Sequence, residues 1–198
     1  MSRAVGAGGE EVGQLVAERL GFRYVNEEIV AAAAAKAGLD AEAVADAERR
    51  RSFIRRLLEG ASAGDSVETF AYGGFVAAAA SEDLRGVIRE TIEEAAAQED
   101  VVIVAHAASF ALAGRPDVLR VFVTAPTPMR AERLAHAEGL ETKDATKAIK
   151  DSDNARADYL RRFYEIDHEL PTHYDLVLST DGLSVEQAAE IVVAAASV

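Results

Sequence analysis

Two kinds of apolar pattern alternate along the chain. Val12, Leu15, Val16 and Leu20 recur at helical spacing, and Gly21 ends the run. Ile29, Val30 and Ala33 predict a second helix, with Asn26 placed to cap it. Leu84, Val87, Ile88, Thr91, Ile92 and Ala95 form one stripe behind a cap at Ser81. Thr127-Pro128 reads as a cap followed by proline at the first helical position. Ser184 and Gln187 form a capping box ahead of Val185, Ala188, Ala189 and Val192. Between these helices stand short, continuous apolar runs: Phe22–Val25, Val101–Ala105, Leu119–Thr124 and Asp175–Ser179. Continuous runs predict strands covered on both faces, and their alternation with helices predicts a doubly wound parallel α/β architecture.

Residues 40–80 break this rhythm. Asp40–Glu59 is charged and predicted helical, with arginines at 49, 50, 51, 55 and 56, and Gly60–Gly74 carries glycines and small residues. This stretch reads as a helical insertion on the substrate side; a solvated basic helix face is the other reading. Ala31–Ala35 and Ala77–Ala80 read as close-packed helix faces. There is no internal repeat and no long linker, so residues 1–198 are expected to form one domain.

Composition narrows the function classes. The 34 Asp and Glu against 21 Lys and Arg leave a net charge of −13, a field that repels a nucleic acid polymer but leaves room for a phosphorylated small molecule. With no cysteine, neither a disulfide framework nor a thiolate metal site is available. No apolar stretch has the length of a membrane span, and MSRAVGAGGEE lacks the layout of a signal peptide. A cytoplasmic protein without a membrane partner is the expectation.

The first chemical signal is Gly6-Ala7-Gly8-Gly9, which runs directly into the helix of Val12–Leu20. A glycine loop opening a helix points backbone N–H groups outward at the positive end of the helix dipole, a geometry that binds phosphate. SRAVGAGGEEVGQLVAERLGFRYVNEEIV resembles the start of the cytidylate kinase-like family of P-loop proteins, with its Ser-Arg-Glu-x-Gly-Ser-Gly-Gly-Arg-x-Ile-Gly pattern. The segments VVIVAHAA, LRVFVTAPTPMRAERL, DSDNARADYLRRFYE and YDLVLSTDGLSVEQAAEIV continue the likeness over nearly the whole chain.

That resemblance implies a three-layer P-loop kinase fold: a five-stranded parallel sheet with helices on both faces, the insertion at 40–80, and a small helical lid over 127–165. It implies ATP and Mg²⁺ as cofactors and a small-molecule nucleotide as partner. Donor phosphates would lie on Gly6, Ala7, Gly8, Gly9, Glu10 and Glu11, with Arg130 and Arg133 contributing from the lid. An acceptor nucleotide would lie near Asn26 and His106. Arg3 and Arg156 would be the catalytic cations, with Asp153 orienting Arg156 through a charged hydrogen bond. For Arg130, Arg133, Asp153, Arg156, Arg161 and Arg162, ordinary salt bridges on an exposed helix are the other reading.

Three departures accompany the match. In the usual P-loop pattern, lysine and then Ser or Thr follow the last glycine of the loop. Here those positions are Gly9, Glu10 and Glu11, and the glutamate that similar proteins carry in the loop is Ala4. Glu10 either holds Mg²⁺ in place of the hydroxyl or repels the nucleotide. Ala105-His106 replaces a Gly-Arg pair, giving a phosphate donor without the bidentate fork, or else a structural histidine. Finally, only Met1–Val5 precede the glycines, so the buried first strand is either very short or the chain starts later than in similar proteins. A short first strand is expected to loosen the loop.

His136, His168 and His173 have no metal-ligand spacing, and no nucleophile elbow is present. Tyr159 and Phe163, four apart, read as packing residues. Two functions stay open: transfer of the ATP γ-phosphate to a nucleoside monophosphate such as CMP, or a degenerate P-loop that binds a nucleotide or protein partner without transfer. A kinase for another small metabolite on the same scaffold is a third, since fold does not fix substrate. Oligomeric state is not legible in the sequence.

Overall fold

The computed structural model describes residues 1–26, 89, 92–93, 95–97, 100–105 and 108–197. The helix expected after Asn26, the insertion at 40–80 with its arginine cluster, the Ser81 cap and His106 lie outside the described residues.

Among the described residues the elements with defined bounds follow in the order β1 (Ser2–Arg3), α1 (Gly9–Leu20), β2 (Arg23–Val25), β3 (Val101–Ile103), α2 (Ala108–Ala111), β4 (Val121–Thr124), α3 (Thr127–Glu138), α4 (Thr142–Tyr164), β5 (Leu176–Ser179) and α5 (Val185–Ala196). A single 3₁₀ turn, Pro171–His173, precedes β5. Helical residues around Ile92 precede β3. Each apolar run read as a strand contains one, trimmed by one or two residues at an end.

Among the described residues all the pairings are parallel, but they form two ladders, β1-β4-β5 and β2-β3, where one five-stranded sheet was expected. The ladders meet at Met1, whose nitrogen donates to the Ile103 carbonyl at 2.5 Å and whose carbonyl accepts from Ala105 N–H at 3.3 Å. β1 pairs with β4 over two residues only, Ser2 with Phe122 and Arg3 with Val123. An open cavity of about 850 Å³ lies beside Met1, lined by Val101, Val102, Leu119 and Val121 among others.

Apolar contacts on both faces explain why the strands read as unbroken hydrophobic runs. On one face, Val12 and Val16 of α1 and Ala188, Ala189 and Val192 of α5 close over Val102, Val121, Val123 and Leu178. On the other, Ile92, Ala108, Leu112, Tyr159 and Leu160 close over Val25 and Ile103. α3 and α4 pack on each other through Ala131, Leu134, Ala145 and Ile149. Tyr159 is buried, with its ring 4.7 Å from that of Phe163, so this pair packs as the spacing suggested.

Helix ends follow the sequence signals with one exception. α1 ends on Gly21 with a left-handed cap, and the Ser184–Gln187 capping box is formed in both directions, at 3.2 and 2.9 Å. α3, however, is capped by Pro126, and Thr127 is already its first helical residue. The Thr127 hydroxyl accepts from Arg130 in place of a backbone amide. Among the described residues, no helix is long and apolar enough to cross a membrane.

Candidate functional site

The glycine loop joins β1 to α1 at the C-terminal ends of β1 and β4, where open α/β sheets place their sites. Gly6 and Gly8 both have φ of +77°, with the fully buried Ala7 between them. At Gly6 a Cβ would stand 2.6 Å from the Arg130 carbonyl oxygen, so sterics and backbone dihedral both require glycine. Gly8 caps α1, and the amides of Gly9, Glu10 and Glu11 in its first turn have no acceptor within the helix. Three backbone donors therefore gather at the positive end of α1.

Where lysine would stand in the usual pattern, a Cβ on Gly9 would lie 2.5 Å from the Arg3 Cβ and 3.3 Å from its Cδ. The Arg3 side chain thus crosses the space a lysine stem would need, and its guanidinium lies beside the loop. Its Nη2 donates to the Glu10 carboxylate. Glu10 and Glu11 are the carboxylates of the first helical turn; they complement the helix dipole and weaken its pull on a ligand anion.

The loop is also held from α3, which carries Arg130 and Arg133. Buried Arg130 uses all five of its N–H donors: Nε on the Ala125 carbonyl, Nη1 on the Val5 carbonyl and Asp153, and Nη2 on Asp153 and the Thr127 hydroxyl. The pairing expected from the sequence is therefore corrected, because Asp153 orients Arg130, through a bidentate contact at 3.0 and 2.6 Å, and not Arg156. Arg133 donates to the Thr180 hydroxyl at 2.8 Å and to its carbonyl at 2.7 Å. The Thr180 hydroxyl donates in turn to the Ala7 carbonyl at 2.9 Å.

Arg156, on the buried side of α4, pairs with Glu169 at 2.9 and 2.5 Å and reaches the Tyr174 hydroxyl at 3.1 Å. Its guanidinium lies 5.3 Å from the Phe122 ring centroid, and Phe122 stacks on Tyr174. Tyr174 also donates to Glu169. Burial works against ionising Glu169, but Arg156 and the Tyr174 hydroxyl outweigh it and hold the carboxyl below its usual range. For Tyr174, burial, reinforced by the Glu169 carboxylate, raises the phenol and keeps it protonated. Between the two arginines lies a small cavity of about 190 Å³, bounded by Ala4, Phe122, Thr124 and Leu160.

Asn26 is half-buried just past β2. Tyr24, two residues earlier, was not singled out from the sequence as a site residue. Its hydroxyl is buried beside Asn26, and burial together with the Glu10 carboxylate raises its phenol above the usual value. Thr180, Glu169 and Tyr174 were also missed. Thr180 had one legible signal, a polar residue at the C-terminal end of a predicted strand. Glu169 and Tyr174 had none.

Among the described residues, no group of three or more His, Asp or Glu side chains is arranged to hold a metal. The acidic residues at the loop nevertheless fit a magnesium ion that arrives with a nucleotide, since such ions take one or two carboxylates and complete their shell with phosphate and water.

Parallel strands with helices on both faces, and a glycine loop turning from β1 into α1, define the P-loop kinase class of α/β proteins. The chain belongs to the cytidylate kinase-like family, whose family model matches residues 1–182. It is 32% identical over 96 residues to a cytidylate kinase of Methanopyrus kandleri, covering 44% of this chain and 50% of that one. With a cytidylate kinase of Natronomonas pharaonis it shares 33% over 81 residues, 41% of this chain and 42% of the other. The matched stretch thus spans half or less of these curated relatives.

Among solved structures, the chain superposes on an uncharacterized protein from Eubacterium ventriosum with a TM-score of 0.69 at 18% identity, covering 99% of this chain and 95% of that one. It superposes on a shikimate kinase from Bacteroides thetaiotaomicron with a TM-score of 0.52 at 13% identity, over 100% and 96%. At such identities the likeness concerns the fold alone.

Proposed function

We propose that the chain is a nucleotide kinase-like phosphotransferase that holds ATP phosphates on the Gly6–Glu11 loop and passes the γ-phosphoryl group to a nucleoside monophosphate such as CMP. The observation that carries this reading is the loop itself. Two left-handed glycines lead into three first-turn amides that have no acceptor within the helix, and the Arg3 side chain lies against Gly9.

In the transfer, an oxygen of the acceptor monophosphate forms a bond to the γ-phosphorus. The bond from that phosphorus to the β–γ bridging oxygen breaks, leaving ADP and a nucleoside diphosphate. Little covalent chemistry is asked of the protein; alignment and charge stabilisation do the work. The loop amides and Arg3 would bind the donor, and Tyr24 and Asn26 at the end of β2 would face the acceptor. Glu10 or Glu11 would hold the magnesium that accompanies ATP, which supplies neutralising charge at the phosphates. ADP release with ATP, Mg²⁺ and a panel of monophosphates tests the reading, and turnover with CMP above the other acceptors is expected. Absence of turnover with every acceptor would count against it.

One set of contacts favours a second reading, a nucleotide-binding protein without transfer. Arg130 has every donor engaged within the protein, and Arg156 is tied to Glu169. Neither is poised to follow a migrating phosphoryl group as the fold stands. Saturable thermal stabilisation by ATP without turnover would select this alternative.

A further inference from the structure

We propose that Thr180 and Arg133 are positioning residues that aim the backbone donors of the phosphate loop, an inference that rests on reading Gly6–Glu11 as that loop. A trans peptide unit points its carbonyl and its N–H in opposite directions. Fixing the carbonyl of one residue therefore fixes the direction of the next residue's N–H. The Thr180 hydroxyl donates to the Ala7 carbonyl at 2.9 Å, which turns the Gly8 N–H away from Thr180 towards the open side of the loop.

The geometry has no slack. Thr180 is 1% exposed, its own amide donates to the Thr124 carbonyl at 2.9 Å, and its hydroxyl lies 3.4 Å from that same carbonyl. Two carbonyls thus compete for one hydroxyl hydrogen. Arg133 occupies the hydroxyl's acceptor side at 2.8 Å and grips the Thr180 carbonyl at 2.7 Å, with a charged donor that fixes the orientation of the rotor. On the same plan, Arg130 holds the Val5 carbonyl at 3.2 Å and so turns the Gly6 N–H. The two arginines one turn apart on α3 act on the loop from behind; they orient the groups that meet phosphate and do not meet it themselves. This bracing would act against the loosening expected of a first strand of two residues.

The test uses the full chain and its Thr180→Val, Thr180→Ser and Arg133→Met variants. Valine keeps the shape and loses the hydroxyl, serine keeps the hydroxyl, and Arg133 is exposed, so its variant is expected to fold. Calorimetry gives the affinity for inorganic tripolyphosphate, and NMR gives the Gly6, Gly8 and Gly9 amide shifts without ligand. Thr180→Val should shift the Gly8 amide and weaken tripolyphosphate binding about tenfold, the size of one hydrogen bond. Thr180→Ser should stay within about threefold of the parent, and Arg133→Met should fall between the two. If the parent binds and Thr180→Val and Arg133→Met bind equally well, or the Gly8 amide does not move in Thr180→Val, the positioning role is wrong. A Thr180→Val protein that does not fold leaves the decision to Arg133→Met. If the parent binds no tripolyphosphate, the phosphate-loop reading falls first and the relay falls with it.

Discussion

At Gly6 two constraints coincide, a φ of +77° and a carbonyl oxygen 2.6 Å from where a Cβ would be. Gly6→Ala should cost roughly 2 kcal/mol in chemical denaturation, more than a left-handed dihedral alone, because the Arg130 backbone must also move. Gly9 leads to a less obvious expectation. Restoring the usual lysine with Gly9→Lys should not restore a usual P-loop, because the new Cβ meets the Arg3 side chain. We expect this variant to be less stable in thermal melts and to bind ATP no more tightly than the parent. A variant that gains affinity would show that Arg3 moves aside without cost. From the sequence, Arg3 was expected to act as a cation in the absence of lysine. In the fold its side chain lies against Gly9, and that close approach could not be read from the sequence because it depends on where β1 sends its side chain.

At the scale of elements, α4 is tied to the segment before β5 by Arg156, Glu169 and Tyr174. In the folded chain the Glu169 carboxyl lies below its ordinary range, so the pair stabilises the fold fully above the unfolded glutamate value of about 4.3. That contribution is lost as pH falls through the lower folded value. Glu169→Gln should cost about 3 kcal/mol near pH 7, since it removes the carboxylate that pairs with a buried guanidinium, and the gap to the parent should close below about pH 4. Urea melts across pH 3 to 7 measure this, and a gap independent of pH would remove the ion pair from the account. Helix α4 itself was expected only as part of the helical lid that the resemblance implied. Its partner was not, because Asp153 and Glu169 are both carboxylates within reach of an arginine in sequence, and only the path of residues 165–170 decides between them.

For the whole molecule, the net charge of −13 acts on any nucleotide before it reaches the loop. ATP and the protein repel at long range, so added salt should speed association by screening the repulsion. Stopped-flow measurement of ATP binding from low to physiological salt should show a rising on-rate; a falling one would mean that Arg3 and its neighbours dominate the approach. What the sequence by itself determined were the features with local causes. Strands β2 to β5 and helices α1 and α5 followed from apolar patterns, α1 ended at Gly21, α5 began at the Ser184–Gln187 box, and the glycine loop was evident from composition at one point in the chain. Tertiary structure alone decided which carboxylate each arginine meets, that α3 braces the loop through Thr180, 173 residues from Ala7, and that the strands divide into two ladders. The physical reason is range. Propensity and capping act over a few residues, whereas a charged side chain takes whichever partner the packing of distant elements brings within hydrogen-bond reach.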